Sequence, residues 1–198
     1  MFTLIKRWWM AAMIIALAGS IPTPAQVNPV HGIRAVDFGD FSYPASCWKT
    51  DPEGFEKVIA VKDGGWTKTV GAGDNSRILE FDVSKPVYGN LTGEGAAQEN
   101  AVVLGNCFFG NQGEDEIFVY GLPPGAPEPK LLAQLGTSDW DIGSYHVTKV
   151  QIQNGQLLVT YTTGGSYATP AWTATAAFRW NGTKFVRSGV VRKIPWKP

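Results

Sequence analysis

The chain has 198 residues, with 17 Lys+Arg, 17 Asp+Glu, 2 His, 23 Gly, 13 Pro and 2 Cys, and 44% of it is hydrophobic. That length suits one domain with a real core, and the apolar fraction together with zero formal charge excludes a disordered chain. Zero charge also argues against a phosphate-backbone binder, and two cysteines are too few for a four-cysteine zinc site or a dense disulfide scaffold.

Residues 1–25 read as a secretory signal. Lys6 and Arg7 give the positive start, Trp8 to Gly19 is an uncharged apolar run, and Ser20 to Ala25 is a polar exit containing Pro22 and Pro24. Thr23 and Ala25 set small side chains at −3 and −1 of a cut before Gln26, while Ala16-Leu17-Ala18 offers a second small-x-small site inside the apolar run. A run of that length is too short to cross about 30 Å of hydrocarbon as a helix, and no cysteine stands near the exit to carry a lipid. The expected product is therefore exported and soluble, secreted or periplasmic, with 15 basic and 17 acidic residues after cleavage and no later membrane span.

Residues 26–37 form a flexible lead-in with Pro29 and Gly32, and 38–198 an all-β domain. Lys57 to Lys62 is a compact strand that stops at Asp63-Gly64, a pair suited to the positive φ angles of a type I′ turn, with a return strand from Trp66. Arg77 to Val87 alternates around Ile78, Leu79, Phe81 and Val83, and Pro86 limits pairing near its end. Ala101 to Leu104, continuing to Cys107, Phe108 and Phe109, reads as a strand buried on both faces. Glu116 to Tyr120 is another strand, closed by the proline-rich loop Gly121 to Pro129. Leu131 to Leu135, too short for a helix between Pro129 and Gly136, is also assigned as strand.

Two hairpins end the chain. Val147 to Gln153 and Gln156 to Thr162 flank Asn154-Gly155, and Ala174 to Trp180 and Lys184 to Val191 flank Asn181-Gly182-Thr183, with Thr163 to Trp172 as a connecting loop. Roughly eight to ten short strands at regular spacing predict a sandwich or a partly open barrel, and no stretch repeats as a blade or solenoid turn would.

An oxidising compartment favours pairing Cys47 with Cys107. The bridge closes a loop of about 60 residues, for which chain entropy gives about 4 kcal/mol. A nucleophilic cysteine would instead need a base beside it, and only His31 and His146 are available.

Tyr88 to Gly95, then Glu99 and the strand from Ala101, has the form of a turn followed by a strand. The segment resembles the acidic calcium loop of FG-GAP and VCBS units in a divergent form. With Arg179-Trp180-Asn181-Gly182, it is similar to bacterial exported proteins that share "YGxLTGxG", "ExAVV" and "RWNG" pieces. The resemblance implies an all-β exported domain and no particular activity. As a calcium loop the ligands would be Asn90, Thr92, Glu94 and Glu99, only two of them charged where calcium usually takes several carboxylates among six to eight oxygens. A Gly-rich turn whose side chains bond their own backbone fits the same residues.

Other constellations point elsewhere. Glu114, Asp115 and Glu116 read as a solvated acidic patch on a loop. Asp139 and Asp141 could form a glycosidase-like carboxylate pair, although after Gly136 a capping or turn role fits them better. Ser166 stands in a near-match to the G-x-S-x-G elbow, without the strand–helix context that motif requires. Two histidines do not make a convincing metal site, and no catalytic residue is assigned. Asn90-Leu91-Thr92 and Asn181-Gly182-Thr183 fit the glycosylation sequon, the second explained by its turn. Trp140 and Trp172, in Gly/Ser/Thr-rich stretches, are the candidate binding residues, because an exposed loop aromatic can stack on a sugar or a partner side chain. The expectation is an exported non-enzymatic binding domain for a carbohydrate or envelope component, with no nucleic acid as partner. The alternatives are a secreted hydrolase acting on polysaccharide and a calcium-stabilised structural domain.

Overall fold

The computed structural model describes residues 32–49, 51–93, 98–109, 112–140, 144–166, 168–188 and 192–197. The assigned signal, His31, Glu94 and Asp141 lie outside them. Strand formation follows the alternation and turn chemistry of the sequence. β1 (Ser42–Tyr43) and β2 (Ile59–Ala60) make a two-stranded sheet. β3 (Gly65–Val70), β4 (Arg77–Val83), β5 (Val87–Gly89), β6 (Asn100–Phe109), β7 (Gln112–Gly121) and β8 (Lys130–Leu135) make a six-stranded sheet in the order β3-β4-β6-β7-β8. β4 and β5 pair with successive stretches of β6, the break between them falling at Ser84 to Pro86. β9 (Ser144–Gln153), β10 (Gln156–Gly165), β11 (Pro170–Trp180), β12 (Phe185–Arg187) and β13 (Arg192–Pro195) make a five-stranded sheet, in which β12 and β13 both pair with β11. All pairings are antiparallel and neither large sheet closes into a barrel, so the molecule is an all-β sandwich with a further layer on one side.

β6 and β7 explain the three layers. Ala101, Val103, Cys107, Phe118 and Tyr120 face one way and pack with Ile33, Phe38, Tyr43, Cys47, Phe55 and Ile59 from the N-terminal layer. Val102, Ile117 and Val119 face the other way, onto Val147, Leu157, Val159, Tyr161, Ala174 and Phe178 of the five-stranded sheet. Side chains alternate between faces along a strand, so a near-continuous apolar run is what two covered faces require. Of the lead-in segment, residues 32–37 are described: Ile33–Ala35 forms a 3-10 turn and Ile33 is buried in the first core.

Gly105 sits where β6 crosses the aromatic rings of that core. A Cβ there would stand 2.9 Å from both Phe118 and Phe81. Gly105→Ala should therefore cost about 2 kcal/mol by overpacking, measurable as a shift of the urea midpoint with unchanged slope.

The turns follow the sequence closely. Asp63 and Gly64 take φ of 52° and 85°, and Asn154 and Gly155 take 52° and 70°, as type I′ turns require. Asn181 Oδ1 accepts from the backbone N–H of Thr183 and of Lys184 at 3.0 and 2.9 Å, so this sequon is a built turn. Some elements differ from expectation. The strand predicted over Lys57 to Lys62 is reduced to β2. Thr163 to Trp172, predicted as a connecting loop, continues β10 to Gly165 and resumes as β11 at Pro170. Thr163 still pairs with Trp172 and Gly165 with Pro170, so this is a hairpin carried almost to its tip.

Candidate functional site

The two candidate tryptophans do not act together. Trp140 is 1% exposed, at the end of the one-turn helix α1 (Thr137–Trp140), and its indole N–H donates to Ser144 Oγ at 3.0 Å. Burying a large aromatic whose single donor is satisfied makes it a core residue, so Trp140 is removed from the binding residues. Trp172 is 42% exposed and lies on β11, its indole against Gly164, where a Cβ would come within 3.1 Å of Trp172 Cδ1. Trp180 packs on Phe185 with ring centroids 5.2 Å apart.

Of the described calcium-loop residues, Asn90 closes its own turn and Glu99 is held by a cation. Asn90 Oδ1 accepts the Gly93 N–H at 2.9 Å, and Gly93 has φ of +77°. Glu99 takes both donors of Arg34, Nε at 2.6 Å and Nη2 at 2.7 Å, and the guanidinium lies 4.7 Å over the Tyr88 ring. The Arg34 hydrogen bonds hold the Glu99 carboxyl below its ordinary pKa. Asn90, Thr92 and Gly93 line a hollow shared with Arg179, which places a positive charge where a calcium site gathers negative ones.

The acidic run Glu114 to Glu116 is not a solvated loop. It lies within β7, where Asp115 is 6% and Glu116 2% exposed. Successive strand residues point to opposite faces, so the two carboxylates reach different layers. Glu116 accepts from the Ser46 backbone N–H at 2.7 and 3.0 Å, from Ser46 Oγ, and from Gln134 Nε2 at 2.8 Å. It fastens the segment beside Cys47 to the central sheet. Burial pushes its carboxyl up from the ordinary value, outweighing these hydrogen bonds. Asp115 reaches the other way, accepting from the Val147 backbone N–H and from Asn106 Nδ2, with His146 Nδ1 at 3.3 Å. The Asp115 hydrogen bond raises the His146 pKa.

Cys47 and Cys107 are bonded, with Cα atoms 6.0 Å apart, and join the N-terminal layer to β6. Their sulfurs and the Glu116 carboxylate converge, but a disulfide leaves no thiolate to ligate a metal. Asp139 Oδ2 accepts the Gly136 N–H at 2.8 Å, the turn role expected of it. Ser166 Oγ is hydrogen-bonded to Thr169 Oγ1 at 2.8 Å in the hairpin tip, with no described histidine bonded to it.

One further hollow is one the sequence did not single out. A groove of about 920 Å³ runs between the N-terminal layer and the Leu122–Pro129 stretch. Val36, Phe41, Val61, Leu122, Pro127 and Pro129 supply apolar walls, and Asp37, Asp40, Lys62 and Glu128 the charges. Lys62 is already ion-paired with Asp40, so the rim is anionic on balance. Beneath the floor, the Tyr120 ring meets Phe41 edge-on at 5.2 Å, and its buried hydroxyl has no hydrogen-bond partner. Among the described residues no helix is long and apolar enough to cross a membrane. The chain matches no protein-family model, and no curated protein or solved structure is similar to it, so the likeness of the Tyr88 to Gly95 segment to calcium loops rests on its residues alone.

Proposed function

We propose that the protein is a non-enzymatic binding domain that works after export, in the cell envelope or outside the cell, and that the groove beside β1 and β2 is its ligand site. The observation that carries this reading is the groove itself: its volume is of ligand size, with apolar walls and a few polar groups at its rim. The anionic rim selects a ligand with cationic and apolar groups together, as an extended peptide segment has. The buried disulfide supports an oxidising compartment.

Hydrolysis of polysaccharide draws less support. It needs an acid and a second carboxylate facing a substrate across an open cleft. Glu116, Asp115, Asp139 and Glu99 each hold hydrogen bonds or an ion pair within the protein.

Ala60 is exposed and lines the groove, so Ala60→Trp fills it without entering the core. On an array of peptides mixing aliphatic with Lys or Arg side chains, the native protein should bind a subset, and Ala60→Trp should weaken that binding at least tenfold at unchanged melting temperature. Binding of Ala60→Trp equal to native, or no peptide bound by the native protein, would refute the assignment.

A further inference from the structure

All 17 acidic residues lie at or before Asp141, whereas Lys149, Arg179, Lys184, Arg187, Arg192, Lys193 and Lys197 follow it. The five-stranded sheet therefore carries cations and no carboxylate of its own. These seven side chains are all exposed. Among the described residues, no ion pair engages Lys149, Arg179, Lys184, Arg187, Arg192 or Lys197.

The register sorts these groups by face. Leu157, Val159 and Tyr161 point into the sandwich, so Gln156, Leu158 and Thr160 point outward, while Thr162, of the same parity, is buried. Directly opposed residues share a face, which adds Lys149, Gln151 and Gln153 from β9, Thr173, Thr175 and Arg179 from β11, and Arg192 and Ile194 from β13. The middle of this outer face is a field of hydroxyls and carboxamides, with Thr160 Oγ1 3.1 Å from Thr175 Oγ1. Cations stand at its margins. Trp196 follows in register beside Ala171, its backbone N–H donating to the Ala171 carbonyl, and so joins this face, whereas Trp172, opposed to Thr163 and Pro195, belongs to the other face.

We propose that this outer face binds an acidic polysaccharide. The marginal cations meet the carboxylates of the polymer, the Thr and Gln side chains meet its hydroxyls, and Trp196 at one end offers a ring for stacking. A lipid surface fits less well, because Ile194 is the one exposed large apolar side chain of the face among the described residues. Duplex DNA presents a denser charge than these scattered cations match. The face belongs to a different layer from the groove and stands whether or not the groove holds a ligand.

The test is affinity electrophoresis of the purified oxidised protein in gels containing polygalacturonate, with dextran as the neutral control. Native protein should be retarded by polygalacturonate alone, with affinity falling linearly in log salt. The exposed triple variant Lys149→Glu/Arg179→Glu/Arg192→Glu should lose at least tenfold. Thr160→Val/Thr175→Val, with every charge kept, should lose about threefold, which charge attraction alone would not produce. Ala60→Trp should leave retardation unchanged, separating this face from the groove. Retention of the triple variant like native, salt-independent binding, or tighter binding to phosphatidylglycerol vesicles or duplex DNA under the same conditions overturns the assignment.

Discussion

Replacing Cys47 and Cys107 together by alanine should lower stability by about 4 kcal/mol and the melting temperature by roughly 12 °C. The bridge spans 60 residues of sequence and joins the N-terminal layer to the centre of β6. Without it the denatured chain regains the freedom of that loop. Phe38, Tyr43, Phe55 and Ile59 are then held on the central sheet by their own burial, by the hydrogen bonds of Glu116 to Ser46 and by the ion pairs of Arg77 with Asp51 and Arg34 with Glu99. The loss should be uneven. Hydrogen exchange should accelerate most in residues 38–62, while β9 to β11 keep most of their protection. A double variant that melts within 3 °C of native would show that the layer is secured without the disulfide.

The second large effect is at Asp115. Asp115→Ala removes the acceptor of the Val147 backbone N–H and of Asn106, leaving buried donors unpaired at a cost of about 3 kcal/mol, roughly 9 °C in melting temperature. Asp115→Asn keeps one acceptor oxygen and should lose less. His146 supplies a second readout. Its folded pKa is raised by Asp115, so the pair stabilises the fold fully below the unfolded histidine value of about 6.5, and that contribution disappears as pH rises through the raised value. In Asp115→Ala the His146 resonance should titrate near the unperturbed value, and the corresponding fall in stability between neutral and mildly alkaline pH should vanish. Glu116 has the same sign. Burial raises its carboxyl pKa, so stability falls as pH rises from the ordinary glutamate range through that raised value.

The sequence made the locally determined parts legible. Asn154-Gly155 and Asp63-Gly64 carry their turn geometry in two residues, and the apolar run from Ala101 betrays a strand covered on both faces. What it hid depends on distant partners. Glu116 meets Ser46 across 70 residues and Asp115 meets Val147 across 32, so an acidic run beside a turn resembles a solvated patch until the layers are assembled. Trp140 looked exposed because its neighbours are small and polar, yet one helical turn swings it into the core. The glycines at 164 and 165 suggested a loop, whereas strand pairing carries through them to Pro170. The absence of acidic residues after Asp141 can be read in one dimension. Only the register shows which of the cations beyond it share a single plane with the threonines.

That partition gives the exported chain, whose net formal charge is only −2 once Lys6 and Arg7 are removed, an electric dipole running from the acidic layers to the five-stranded sheet. Near an anionic cell surface such a molecule feels a torque before it feels any net pull, and it settles with β9 to β13 inward. The hollow beside Phe41, on the opposite side, is then turned toward whatever diffuses past.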